Sequence, residues 1–275
     1  MNKENPLKQY FRRPALYLTL PSKGAGYPQG AIEFPENGEL PVYPMTAIDE
    51  ITSRTPDALY NGVAVVEIIK SCIPAIKMPW EVLSTDLDPI LVAIKIATNG
   101  QAMEVETTCP ACTESTKYDI NLTGLLASFR PGDYTQLLEV NELKIKFKPL
   151  SYKEVNESSG QQFEIQRSLN QLDSIPELEA RNLKTAEILK VINELAINIL
   201  IEAIEYIKTP DSTVFEKEFI KDFLVNCDKA THNKIKEAHI ALRKTAEIKP
   251  LEIKCVHCSN EYKQDFNINI TDFFE

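Results

Sequence analysis

Hydrophobic positions along the chain change period several times, and each change predicts a different kind of element. Leu16, Leu18 and Leu20 alternate with other residues, which predicts a short strand before the breakers in residues 21–28. We expect residues 1–40 to form an extended N-terminal arm that could fold back as a hairpin. An arm of this kind adds little to a core, so we expect it to dock on another protein.

Residues 41–100 are predicted to be a helical region. Residues 46–49 (TAID) and 55–57 (TPD) are typical of helix starts, and a helix through residues 63–69 should stop before Pro74. A third helix is expected from about Asp88 to Thr98. Asn99 and Gly100 would close it as a left-handed cap.

Residues 101–150 switch to the two-residue period of strands, first around Val105 and again over residues 143–148 (LKIKFK). Residues 151–248 return to a helical period, with the strongest pattern over residues 186–208 and charged helices near 215–226 and 232–247. The strongest helix has two apolar stripes, so we expect burial within its own chain. The stripes are Ile188, Ile192, Leu195, Ile199 and Ala203, and Ile197, Ile201 and Ile204.

Composition places the chain of 275 residues among globular proteins, with 43% hydrophobic and 25% charged residues. The formal net charge of −10 disfavours nucleic acid and anionic membranes as partners. The first residues lack a signal-type apolar stretch, and the most apolar segment is too short to span a bilayer. We therefore expect a reducing cytosol, in which thiols or thiolate–metal bonds replace disulfides.

Four of the six cysteines form two CxxC pairs, Cys109 with Cys112 and Cys255 with Cys258. A shift of 146 residues superimposes both pairs and much of their surroundings. This repeat predicts two copies of one element, namely a strand, a turn with inward thiolates and a returning strand. The other matched positions are Lys117 with Lys263, Asp119 with Asp265, Asn121 with Asn267, Ile120 with Phe266, Leu122 with Ile268 and Val105 with Leu251.

Two such hairpins predict a zinc ribbon with one structural Zn²⁺ bound by Cys109, Cys112, Cys255 and Cys258. A CxxC turn supplies two of the four tetrahedral ligands, so the two pairs complete one site. The 142 residues between Cys112 and Cys255 are explained by a helical insertion between the hairpins. A thioredoxin-like redox motif and an iron–sulfur cluster remain alternatives.

The remaining candidates for chemistry are weaker. His257 lies between two ligands, where its ring should face solvent, and Cys72 and Cys227 are expected to be small buried residues. Both predicted hairpins carry more acids than lysines, which disfavours nucleic-acid binding. No nucleophile elbow, HExxH motif or Walker loop is present. The sequence therefore predicts a protein that is not an enzyme and has no small-molecule substrate.

Five strings occur in order within residues 42–122: PMTAIDE (44–50), RTPDALYNG (54–62), SCIP (71–74), DLDPILVAIKIA (86–97) and CPAC (109–112). In this order they resemble the baseplate protein family of T-even-like contractile-tailed bacteriophages, in the group of the smaller baseplate hub subunit. The resemblance implies a component of the baseplate hub, or a factor that helps hub proteins to assemble. It implies no catalytic residues.

Together these features predict an α+β fold with a mostly helical body, a two-hairpin zinc ribbon and the N-terminal arm. The expected segments are the arm (1–40), a helical region (41–100), the first zinc knuckle with strands (101–150), a helical insertion (151–248) and the second knuckle (249–275). As the resemblance implies, the partners would be other phage tail or baseplate hub proteins. The expected location is the host cytoplasm during assembly and the virion tail. The alternatives are an assembly chaperone missing from the virion, a nucleic-acid-binding zinc-ribbon regulator and a redox enzyme.

Overall fold

The computed structural model describes residues 5–55, 61–172, 176–266, 268 and 273. The fold mixes helices and strands, with about 48% helix and small antiparallel sheets. The chain forms two compact units. The first comprises Met1–Pro79, Asp86–Arg130 and Glu247–Glu275, and the second comprises Trp80–Thr85 and Pro131–Ala246.

The first unit begins with a 3₁₀ helix, Pro6–Tyr10, and a two-stranded sheet. The strands of this sheet are β1 (Leu16–Leu18) and β2 (Leu40–Val42), which pair antiparallel. Leu18 and Leu20 are buried, so the segment after the 3₁₀ helix belongs to the core of this unit. In this respect the structure differs from the loosely attached arm expected for residues 1–40.

Arg12 attaches the start of the chain to the first unit. Its guanidinium donates to the carbonyl oxygens of Pro44 (2.6 Å) and Ser71 (2.8 Å) and lies 3.5 Å from the carboxylate of Asp49. The sequence pattern missed these contacts because the partners lie 32 to 59 positions away. The 3₁₀ helix, Pro6–Tyr10, contains no buried residue and keeps the character of an exposed arm.

In the described residues that follow, helices appear whose ends agree with the local signals except at the start of the last. They are α1 (Ala47–Ser53), α2 (Val63–Cys72) and α3 (Ser84–Asn99). The capping box of Thr46 with Asp49 at the start of α1 is confirmed. The second predicted start, at residues 55–57, falls partly outside the described residues.

The C-terminal cap of α3 is confirmed, because Gly100 follows it with a φ of 94°. The predicted start at Asp88 was wrong, since α3 begins at Ser84 and contains Pro89. Proline removes one helical hydrogen bond but is tolerated near the first turns. Burial of Ile90 and Ile94 on this helix offsets that loss.

The first CxxC pair follows α3. It lies between β3 (Ala102–Thr108) and β4 (Ser115–Asn121), which form a two-stranded antiparallel sheet, and α4 (Leu122–Ser128) comes next. The predicted strand around Val105 is therefore confirmed.

The second unit combines a four-stranded antiparallel sheet with four helices. The elements are β5 (Leu137–Val140), β6 (Leu143–Phe147), α5 (Tyr152–Gln171), α6 (Leu178–Ala203), β7 (Ile204–Lys208), β8 (Thr213–Val214), α7 (Lys217–Asn226) and α8 (Lys229–Ala246). The sheet order is β5-β6-β7-β8. The buried core joins Ile145 and Phe147 of β6 to Leu200 of α6, Ile220 of α7 and Ile235 of α8. The apolar stripes of α6 are thus buried largely within the chain.

The predicted helix over residues 186–208 was wrong at both ends. It begins earlier, at Leu178, and changes to strand β7 after Ala203. Ile204 pairs with Phe147 across the sheet, and this pairing accounts for the switch. Lys217 also ends the helix, because its Nζ donates to the carbonyl oxygens of Ile201 (2.6 Å) and Ile204 (2.9 Å).

The chain returns to the first unit with β9 (Leu251–Lys254) and β10 (Glu261–Gln264), an antiparallel pair on either side of the second CxxC. Among the described residues, no helix combines the length and the apolar character needed to cross a membrane.

Candidate metal centre

The two CxxC pairs occupy equivalent turns of two hairpins. In the first hairpin Val105 pairs with Tyr118, and in the second Leu251 pairs with Gln264. Each of these pairs maps onto the other under the shift of 146 residues found in the sequence. The repeat therefore reflects two hairpins of equal strand register, although its predicted match at Asn267 lies outside the described residues.

The backbone of the two turns is the same. The amide of the first cysteine donates to the carbonyl five residues later, Cys109 to Glu114 (3.0 Å) and Cys255 to Asn260 (2.8 Å). The residue after the second cysteine has a left-handed backbone in both turns, with φ of 61° at Thr113 and 60° at Ser259. Non-glycine residues rarely adopt this conformation, so its recurrence indicates a turn shaped by the same constraint.

The four sulfurs converge on one point. All four lie within 4.8 Å of one another. The Sγ of Cys109 lies 3.7 Å from that of Cys258, and the Sγ of Cys112 lies 3.6 Å from that of Cys255. A tetrahedral zinc ion with bonds of about 2.3 Å places its sulfurs about 3.8 Å apart. Because each close pair joins the two hairpins, the geometry fits one shared ion.

Direct contacts also join the hairpins. The Oγ1 of Thr107 donates to Oε1 of Gln264 (2.9 Å), and the Tyr118 hydroxyl donates to the backbone carbonyl of Lys254 (3.3 Å). Tyr118 and Gln264 are equivalent positions of the repeat, so each hairpin contributes the same position to the contact. The four cysteines thus lie at one end of the contact between the two hairpins.

The side-chain amide of Asn260 contacts one of these sulfurs. Its Nδ2 lies 3.9 Å from the Sγ of Cys109. The sequence analysis did not identify this residue. The equivalent residue in the first hairpin is Glu114. This difference between the two copies of the repeat was the only feature of the sequence that could have pointed to Asn260. An amide donor beside a sulfur favours the thiolate, as groups around metal ligands commonly do.

The sulfurs differ in environment. Cys109 and Cys255 are buried, whereas Cys258 is exposed. Backbone N–H groups of Cys112 and Ala111 lower the pKa of Cys109 to about 6. The backbone N–H of Glu114 also favours the Cys112 thiolate, but burial and the neighbouring sulfurs outweigh it and raise the pKa of Cys112 to about 12.

The neighbouring thiols contribute to both shifts, because they stabilise the thiolate of Cys109 and disfavour that of Cys112. Once one thiol has ionised, a second negative charge within a few ångströms is disfavoured. A bound divalent cation removes this penalty, because it interacts with all four thiolates at once. The donor set therefore suits a metal ion that prefers sulfur, and within the described residues it is the only such cluster of His, Cys, Asp or Glu.

The other candidate residues lie outside this cluster. His257 is exposed, as predicted. Cys72 is fully buried on α2, and burial raises the pKa of its thiol to about 12. Cys227 is half-buried at the end of α7, so the prediction of full burial was correct for Cys72 only.

The lysines of the hairpins form ion pairs across the strands. Lys117 Nζ lies 2.6 Å from Glu104, Lys254 Nζ lies 3.5 Å from Glu261, and Lys263 Nζ lies 3.8 Å from a carboxylate oxygen of Glu252. All of these side chains are exposed, so each pair contributes little to stability. Their effect is to neutralise the positive charge of the hairpins.

Comparison with known proteins identifies a family. The family model described as T4 bacteriophage base plate protein matches residues 40–275, which include both hairpins and the whole second unit. No curated protein matches the chain. No solved structure matches it either.

Proposed function

The chain belongs to the T4 bacteriophage base plate protein family, and from this premise we propose that it is a structural protein of the baseplate hub. Its role is to bind other baseplate proteins during tail assembly. The match over residues 40–275 is the observation that carries the proposal, because it covers the second compact unit and the first unit from residue 40 onward.

The proposal includes one structural zinc ion bound by Cys109, Cys112, Cys255 and Cys258. The ion would supply a tetrahedral crosslink and the positive charge that lets four neighbouring thiolates coexist. Such a crosslink fastens the C-terminal hairpin to the first hairpin across the 142 intervening residues. Binding energy at a structural site is also folding energy, so the site would stabilise the first unit.

Zinc is favoured over the other chemistries of paired cysteines. A thioredoxin-like CxxC opens a helix, whereas these pairs are followed by strands β4 and β10. An iron–sulfur cluster contains several metal ions, each with its own thiolates. Sulfurs 3.6 and 3.7 Å apart suit a single ion better.

A non-enzymatic role is part of the same proposal. The acidic chain and the ion-paired lysines of the hairpins disfavour the alternative of a nucleic-acid-binding regulator. A closer rival is an assembly chaperone that helps hub or tape-measure proteins and then leaves. Both roles need protein contacts, and they differ in whether the protein remains in the virion.

Quantitative mass spectrometry of purified phage particles tests the proposal. A hub component should be present at a fixed copy number relative to other baseplate proteins and should remain after washing with high salt. Its presence in infected cells together with its loss from particles would support the chaperone instead. Tails that form normally when the gene is deleted would contradict both roles.

A further inference from the structure

Two exposed apolar patches lie outside the metal centre, one in each unit. The N-terminal patch consists of Leu7, Tyr10 and Phe11, which are 60%, 76% and 57% exposed. The α7 patch consists of Phe215 and Phe219, which are 59% and 64% exposed. Adjacent large apolar side chains in water are typical of protein contact sites.

The N-terminal patch is presented by local structure. Leu7 and Tyr10 are three positions apart on the 3₁₀ helix Pro6–Tyr10, which places their side chains one above the other, and Phe11 follows directly after its end. The side chain of Asn5 accepts from the amide of Leu7 (3.0 Å) and caps this helix. Arg12, directly after the patch, holds the chain on the first unit through the carbonyls of Pro44 and Ser71. The chain next to the patch is therefore fixed to the first unit.

The α7 patch is also held in place. Ile220 and Leu224 of the same helix are buried in the core, so Phe219 lies on the opposite, exposed side. The ring of Phe215 packs against that of Tyr206, with centroids 5.4 Å apart. Phe215 precedes α7 by two residues and Phe219 lies in its first turn, so both exposed rings are presented at the start of this helix.

The patches differ in charge. Residues 1–32 contain five basic residues and one acidic residue, so their net charge is +4 and the rest of the chain carries −14. The exposed Lys8 and Arg13 accompany the N-terminal patch. Among the exposed residues of the segment 215–222, three acids outnumber one base, Lys221. Those acids are Glu216, Glu218 and Asp222.

We propose that the N-terminal patch of one copy docks on the α7 patch of a second copy of this chain. Apolar surfaces meet apolar surfaces, and opposite charges surround them. The two patches differ, so the contact is head-to-tail and the resulting dimer leaves one patch of each kind open. The patches are small, and the contact should bury less than about 1,200 Å², which is typical of weak complexes. It should therefore form only at high protein concentration.

Sedimentation velocity over a protein concentration range of about 10 to 500 µM tests this contact. The full chain should shift from monomer to larger species as concentration rises, and the shift should shrink in high salt. Tyr10→Asp places an acid against the acidic patch, and Phe219→Lys places a base against the basic one. Each variant should weaken self-association by about tenfold or more. Tyr17→Asp, at an exposed tyrosine outside the patch, is the matched control and should associate normally.

Mixing the two variants gives the sharper test. Tyr10→Asp keeps its α7 patch and Phe219→Lys keeps its N-terminal patch, so the mixture should form 1:1 dimers and no larger species. A mixture that stays monomeric would overturn the head-to-tail contact. A full chain that remains monomeric over the whole range would overturn self-association. Circular dichroism and thermal melting of each variant separate loss of contact from loss of folding, and Phe11→Asp and Phe215→Lys provide a second pair.

Discussion

The Sγ of Cys109 lies 3.7 Å from the Sγ of Cys258, although the two residues are 149 positions apart. Between them the chain forms β4, α4 and residues Pro131–Ala246 of the second unit before it returns. A contact of this length in sequence is costly to close without strong local interactions. The four cysteines provide such interactions if they share one ion.

Substitution of a single ligand should therefore remove both metal and stability. Cys112→Ser is expected to weaken zinc binding by more than about 100-fold. This loss exceeds the one caused by replacing a residue that only contacts a ligand, because Cys112 would be a ligand itself. Thermal unfolding of the first unit should then occur at a lower temperature. Competition with a chromophoric chelator measures the affinity. Cys227→Ser is the matched control, and zinc loss in that variant would contradict the assignment of ligands.

Cys72 should behave as a buried residue without chemistry. Its pKa is raised to about 12 by burial, so its thiolate fraction at pH 8 is roughly 10⁻⁴ and labelling by a disulfide reagent should be slow. Cys72→Ala should keep full zinc content and cost about 1 kcal/mol of unfolding free energy. Rapid labelling of Cys72 in the native protein would show that α2 opens readily.

Arg12 should matter more than its place near the N-terminus suggests. Arg12→Ala leaves the carbonyls of Pro44 and Ser71 without this donor and should cost on the order of 1–3 kcal/mol. Arg13→Ala, at an exposed neighbour, should have little effect. Deletion of residues 1–11 keeps Arg12 and should preserve the melting temperature, whereas deletion of residues 1–14 should lower it. Equal melting of both truncations would contradict this role of Arg12.

His239 should make the second unit less stable in acid. Burial, together with the charge of Arg243, lowers its pKa to about 4, whereas an unfolded histidine titrates near 6.5. Below about pH 6.5 the unfolded chain binds a proton that the folded chain does not, so the free energy of unfolding falls until about pH 4. The difference in unfolding free energy between the native chain and His239→Phe should change by about 2 kcal/mol between pH 6.5 and pH 4. Parallel pH profiles of urea unfolding would refute the assignment.

The sequence allowed the candidate site to be predicted because its information is local and repeated. Cys109 and Cys255 have similar neighbours, so comparison of the chain with itself revealed equivalent hairpins. Helix ends at Thr46 and Gly100 were also predictable, since capping depends on adjacent residues. The contact of Asn260 with a sulfur could not be predicted from either signal.

The remaining errors share a physical cause, which is that distant partners override local pattern. Ile204 continues an apolar helical stripe, yet it forms a strand because Phe147 offers a pairing partner and Lys217 caps the helix before it. Arg12 lies in the segment expected to form an extended arm, but its partners lie much later in the chain. The hydrophobic pattern of a segment shows which of its side chains are apolar. It does not show which distant residues its backbone will pair with.

The zinc content of the purified protein tests the central claim most directly. Elemental mass spectrometry on the full chain, with protein concentration from amino-acid analysis, should give about one zinc per chain, because four thiolates fill one tetrahedral shell. The ratio should stay at one across sizing fractions of different mass, since all four ligands come from one chain. A value near zero, near two per chain, or near one only in dimer fractions would contradict a single ion shared by the two hairpins.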